Sequence, residues 1–153
     1  MANTYTQIYI QVIFSPANRE ALILNTWEEE LYKYITGIIQ GEGHKIIAIN
    51  GVKDHIHIFI GMKPHQSLSD LVRLTKTHST NWINERKLVK GKFAWQNGFG
   101  GFSYGHSQID DVAKYVMNQK IHHQQKTFKE EYLLFLKKFD VEYKDKYLFK
   151  FEE

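Results

Sequence analysis

From Thr4 to Phe14 apolar and polar residues alternate. Ile8, Ile10, Val12 and Phe14 fall on one side, and Tyr5, Gln7, Tyr9 and Gln11 on the other. Side chains of a strand point alternately to its two faces, so this run predicts a strand with one buried face. The spacing then changes to three and four. Thr26-Trp27-Glu28-Glu29 has capping-box form, and Trp27, Leu31, Tyr34 and Ile38 follow at helical intervals until Gly41 and Gly43. Lys45 to Asn50 and His55 to Met62 are β-rich runs around a turn near Gly51 to Asp54, which reads as a hairpin. Ser67-Leu68-Ser69-Asp70 opens a second helix to about Glu85, with Leu71 and Leu74 inward and Trp82 as a further core candidate. Phe93 to Gly105 is glycine- and aromatic-rich and reads as an irregular strand. Ser107-Gln108-Ile109-Asp110 caps a third helix to about Ile121, and His122 to Lys126 is a polar connector. Thr127-Phe128-Lys129-Glu130 caps a last helix with Phe128, Tyr132, Phe135 and Phe139 in register.

The order β-α-β-β-α-β-α-α predicts an α+β fold. Its first six elements match the ferredoxin-like split βαβ plan, an antiparallel sheet with helices on one face, and two helices follow. Residues 1–153 read as a single domain, with a core over about 4–105, a helix over about 108–121 and a C-terminal helix over about 128–139. That fold hosts many functions and decides nothing about chemistry.

Composition narrows the chemistry. Cysteine is absent, which excludes disulfides, thiolate metal ligands and thiol catalysis. No apolar run approaches a membrane span and no signal peptide is evident, so the expectation is a soluble intracellular protein. Net charge is only +3, yet residues 53–92 hold 8 basic and 3 acidic side chains. A basic segment of this kind either meets phosphates or is a solvated helix face.

Two constellations carry candidate chemistry. In Asp54-His55-Ile56-His57-Ile58-Phe59-Ile60, the isoleucines take one face of a strand and His55 and His57 stand together on the other. Two adjacent imidazoles can chelate a divalent metal. They are equally an ordinary pair of surface histidines. A histidine-triad nucleotide hydrolase would need a third histidine where Phe59 stands. The second constellation is Tyr115 with Gln119, one helical turn apart and beside the buried stripe of Ile109, Val112, Ala113 and Val116, where both can reach into a cleft. A tyrosine hydroxyl can serve as a nucleophile and a glutamine oxygen can ligate a cation. Two histidines and one amide oxygen leave a metal open to substrate oxygens, which suits Mg²⁺ or Mn²⁺. His78, His106, His122 and His123 rank below Gln119 as further ligands, because no spacing fixes a partner for them.

His55-Ile56-His57 resembles the His-hydrophobic-His motif of the HUH endonucleases. Lys114-Tyr115-Val116-Met117-Asn118-Gln119 resembles the catalytic helix of their insertion-sequence-200-like single-tyrosine transposases. Val12 to Ser15, Ser69 to Val72 and Phe102-Ser103 resemble the same family, in order along nearly the whole chain. The resemblance implies a homodimeric transposase acting on single-stranded DNA with hairpins near the element ends, in a bacterial or archaeal cytoplasm. It implies Tyr115 as the nucleophile of a 5′-phosphotyrosine link, His55, His57 and Gln119 as ligands of Mg²⁺ or Mn²⁺, and active sites shared in trans. Lys53, Lys63, Arg73 and Lys76 are candidates for phosphate contacts. The alternatives are a non-catalytic ferredoxin-like nucleic-acid-binding module, which would stack bases on Tyr5 and Tyr9, and a domesticated endonuclease acting on host repeats.

Overall fold

A computed structural model of the chain describes residues 3–17 and 23–151. Four strands form one antiparallel sheet: β1 (Tyr9–Phe14), β2 (Lys45–Val52), β3 (His55–Gly61) and β4 (Gly100–Tyr104), in the order β2-β3-β1-β4. That order, with α1 (Glu28–Gly41) after β1 and α2 (Leu68–Glu85) after β3, is the ferredoxin-like plan. Then come α3 (Ile109–Met117), α4 (Gln119–His122) and α5 (Phe128–Lys138). None of the described helices is long and apolar enough to cross a membrane.

The sheet is covered on both faces, not on one. Phe14 packs edge-on against Trp95, whose Nε1–H is donated to Ser79 of α2, so Val12, Phe14 and the β3 isoleucines face α1 and α2. On the other face Ala48 and Phe59 pack against Val112 and Val116 of α3. Residues 55–60 are consequently all buried, as expected of a strand covered on both sides. Gly100 seats α5 on this second face. A Cβ there would stand 2.7 Å from the Tyr132 hydroxyl.

Several boundaries differ from the sequence expectation. β1 begins at Tyr9, because residues 4–8 find no partner strand. Thr26 does not cap α1: Trp27 occupies that position and no side chain caps it. The inward stripe of α1 is Leu31, Tyr32, Ile35 and Ile39, while Tyr34 turns to stack on Trp82 of α2. Of Phe93 to Gly105 only β4 is strand, with an isolated bridge from Trp95 to Pro16. Ser107 caps nothing; His106–Gln108 form a 3-10 turn before α3. The expected third helix is broken at Asn118. Asn50 Nδ2 donates to the Met117 carbonyl (2.9 Å), and the Ile121 N–H, which would have served that carbonyl, bonds Asn118 instead. Ser67 and Thr127 cap α2 and α5 as expected, and Thr127 forms a full capping box with Glu130.

Candidate active site

β3 presents His55 and His57 to the same side of the sheet, and neither has exposed surface. The pair is therefore a core pair, which excludes the alternative of two ordinary surface histidines. Phe128 of α5 stacks on the His55 ring at 4.0 Å, and the Tyr115 ring stands 6.0 Å from His57. Gln119, expected to reach into a cleft, is also fully buried, while Tyr115 is half-buried. The sheet face on which Tyr5 and Tyr9 were to stack bases is closed as well. Tyr5 lies before the strand, 94% exposed, and Tyr9 packs edge-on to His106.

Each β3 imidazole is fixed from behind. His55 Nδ1–H donates to the Asp54 carboxylate (2.8 Å), and His57 Nδ1–H donates to Gln11 Oε1 (2.6 Å). Both Nε2 atoms then turn inward to one oxygen of Glu131, at 3.2 Å from His55 and 3.0 Å from His57. His123 Nε2 meets the same Oε1 at 3.1 Å. The other carboxylate oxygen accepts from the Tyr115 hydroxyl and from Gln119 Nε2 (3.2 Å). Gln119 Oε1 lies 3.4 Å from His55 Nε2.

The charges follow from this arrangement. Burial would push the Glu131 carboxyl up, but hydrogen bonds from His123, His55 and His57 hold it far below the usual range. Burial opposes a charge on His55, yet Asp54 and Glu131 outweigh it and raise its pKa. For His57 burial prevails and lowers the value to about 4. Burial, then Glu131, pushes the Tyr115 phenol well above its ordinary value.

With Nδ1 bonded to Asp54 or Gln11, each Nε2 approaches the Glu131 oxygen favourably only with a proton or a metal cation between them. The ligand atoms of His55, His57, His123 and Glu131 all lie within 4.8 Å of one another. Imidazoles held by hydrogen bonds from behind, with a carboxylate among them, are the donor chemistry of a divalent metal site. The cluster can hold such an ion.

Sequence reasoning placed His55, His57, Tyr115 and Gln119, and the fold brings all four together. It ranked His123 low and missed Glu131 and Gln11. The available signal for Glu131 was a carboxylate at a core-facing position of α5, between Phe128, Tyr132 and Phe135. His122 stacks on Tyr115, while His78 and His106 are exposed away from the cluster. The basic candidates disperse. Lys53 borders a cavity of about 670 Å³ shared with Lys120, His123 and Lys126. Lys63 is exposed beyond β3, and Arg73 is exposed and paired with Asp70 (2.6 Å). Lys76 is half-buried, its ammonium donating to the carbonyls of Gln96 (2.8 Å) and Gly98 (2.5 Å), and burial lowers its pKa to about 8. A cavity of about 420 Å³ opens beside Tyr115, lined also by Gln11, Glu131, Lys126 and Lys138.

The sequence model of the family described as transposase IS200 like matches residues 4–119. The chain belongs to the IS200-like transposase family. The match takes in His55, His57, Tyr115 and Gln119, whereas His123 and Glu131 of this transposase chain lie beyond it. Two solved structures share the fold. A candidate transposase from Deinococcus radiodurans R1 aligns over 78% of this chain and 95% of its own, with TM-score 0.62 and 16% identity. A REP-associated tyrosine transposase bound to a REP hairpin aligns over 80% of this chain and 73% of its own, with TM-score 0.60 and 16% identity. No curated protein sequence matches.

Proposed function

We propose that the chain is a metal-dependent transposase that cleaves and rejoins single-stranded DNA through a tyrosine nucleophile. The observation that carries this reading is the Tyr115 hydroxyl hydrogen-bonded to the carboxylate that three imidazoles surround, in a chain of this family.

His55, His57, His123 and Glu131 would hold the ion, with Gln119 as a further candidate ligand. A divalent cation bound there would polarise the scissile phosphate and offset charge on its oxygens. The Tyr115 oxygen attacks phosphorus and gives up its proton. The bond to the 3′ oxygen breaks, and that oxygen takes up a proton as a free 3′-hydroxyl. The product is a 5′-phosphotyrosine link. Attack by a 3′-hydroxyl on such a link reverses the step and joins strands. One phosphoester replaces another, so no nucleotide hydrolysis is needed. Burial and Glu131 both disfavour the Tyr115 phenolate, so the hydroxyl exchanges its bond to Glu131 for the incoming phosphate before it attacks.

The substrate enters through the cavity beside Tyr115, where Lys126 and Lys138 meet its backbone. The REP hairpin bound to the structural neighbour supports hairpin-forming ends as the target. Lys53, Lys63 and Arg73 are exposed and take more distant phosphates. Lys76, committed to two carbonyls, holds the Gln96–Gly98 loop. A homodimer sharing its sites in trans is what the sequence resemblance implies. The juxtaposition of Tyr115 and His57 within one chain instead supports a site in cis.

The test is incubation with hairpin-bearing single-stranded DNA and Mg²⁺ or Mn²⁺, followed by denaturing electrophoresis. A covalent protein–DNA adduct is expected. Tight DNA binding with no adduct under any metal would favour a non-catalytic binding module.

A further inference from the structure

We infer that Gln11 is a positioning residue for His57: its buried amide sets which imidazole nitrogen faces the metal-binding cluster. The inference rests on the metal reading proposed above.

Gln11 lies in the middle of β1 between Phe59 of β3 and Phe102 of β4, and is 1% exposed. His57 pairs with Ile13, so Gln11 and His57 are diagonal neighbours on one face of the sheet. An amide buried among aromatic rings is costly unless its polar atoms are bonded, and an apolar side chain would pack there at no such cost. Both ends of this amide are bonded. Nε2 donates to the Tyr104 hydroxyl (2.9 Å), which turns Oε1 to His57 Nδ1 at 2.6 Å. With the proton on Nδ1, Nε2 keeps the lone pair that a metal needs, and it points at the cluster. Asp54 does the same for His55 with a carboxylate. Gln11 does it without adding a second negative charge behind the ligands. Tyr104 is the outer member of this relay, itself packed between Phe59 and Phe139.

The test is calorimetric titration of metal-free full-length protein with Mn²⁺. Gln11→Leu should weaken binding about 10–100-fold, the usual cost of losing an outer partner of a ligating histidine. Gln11→Glu keeps an acceptor at Nδ1 and should bind at least as tightly as the parent. Tyr104→Phe removes the acceptor that orients the amide and should weaken binding about threefold or more. Thermal unfolding without metal checks that each variant is folded. Wild-type affinity in a folded Gln11→Leu protein would overturn the role of Gln11. If that variant does not fold, unchanged affinity in Tyr104→Phe, or a loss in Gln11→Glu, overturns it. A parent protein that binds no Mn²⁺ overturns the metal reading itself, a separate result.

Discussion

The Tyr115 hydroxyl donates its hydrogen bond to Glu131, and the other oxygen of that carboxylate faces the imidazoles of His55, His57 and His123. The proposed nucleophile and the proposed metal ligands are thus joined through one side chain. Oε1 belongs to the imidazoles and Oε2 to the phenol and to Gln119. A cation held at Oε1 would therefore share one carboxylate with the Tyr115 phenol.

Tyr115→Phe removes the attacking oxygen and keeps the ring that stacks on His122. It should abolish the covalent adduct while hairpin binding stays within about twofold of the parent. Denaturing gels read the first effect and a binding titration the second. An adduct of normal yield would exclude Tyr115 as nucleophile.

Removing ligands should act in order of their place at the cluster. His57→Ala and Glu131→Gln should each reduce cleavage by more than about 100-fold, beyond the loss typical of outer partners. Gln119→Ala, at 3.4 Å from His55, should cost less and raise the metal concentration needed for half-maximal rate. Chelator should stop the parent reaction, and excess Mn²⁺ should restore it. Cleavage that survives chelation would remove the metal from the mechanism.

Stability of the metal-free protein should fall as pH drops from about 6.5 towards about 4. His57 has its folded-state pKa lowered from 6.5 to about 4, so the unfolded chain binds the proton first. Its contribution is complete above 6.5 and lost across that window. Glu131, depressed below its ordinary 4.5, adds a further loss at more acid pH. His55 is raised, so its contribution is complete below 6.5 and lost only as pH rises through its folded value. Thermal unfolding at stepped pH reads the profile. His57→Gln should flatten the stretch between 6.5 and 4; an unchanged slope would assign it to another group.

Mixing a His57→Ala protein with a Tyr115→Phe protein reads the origin of the site. With Tyr115 beside the His57 of its own chain, every site in the mixture carries one lesion, and no adduct should form. Recovered cleavage in verified heterodimers would establish exchange between subunits.

Single-stranded DNA that folds into a hairpin should bind at least about tenfold more tightly than a perfect duplex of the same sequence, with affinity falling as salt rises. Fluorescence anisotropy at two salt concentrations suffices. Equal affinities would point to a general duplex binder.

The fold and half of the site were legible in the sequence. Period-two and period-four patterns are local, so β1, β3, α2 and α5 could be read from them. His55-Ile56-His57 was visible because a strand puts alternate residues on one side. What escaped depends on contacts between distant segments. Burial of His55 and His57 follows from α5 closing over them, and nothing within β3 announces it. Glu131 reaches His57 across 74 residues, and Gln11 reaches it across 46. The break at Asn118 is made by Asn50, a side chain from β2. Gln11 was placed on a solvated face because one face of β1 was expected to be open.

Glu131 also sets an order in time. Chains are made from the N-terminus, so His55, His57, Tyr115 and Gln119 exist before the helix that carries Glu131. A chain terminated anywhere between them holds the residues of the family pattern without the carboxylate on which they converge. A ribosome stalled in that interval, or a frameshift there, yields a product with an unfinished cluster, and only translation past Glu131 completes it.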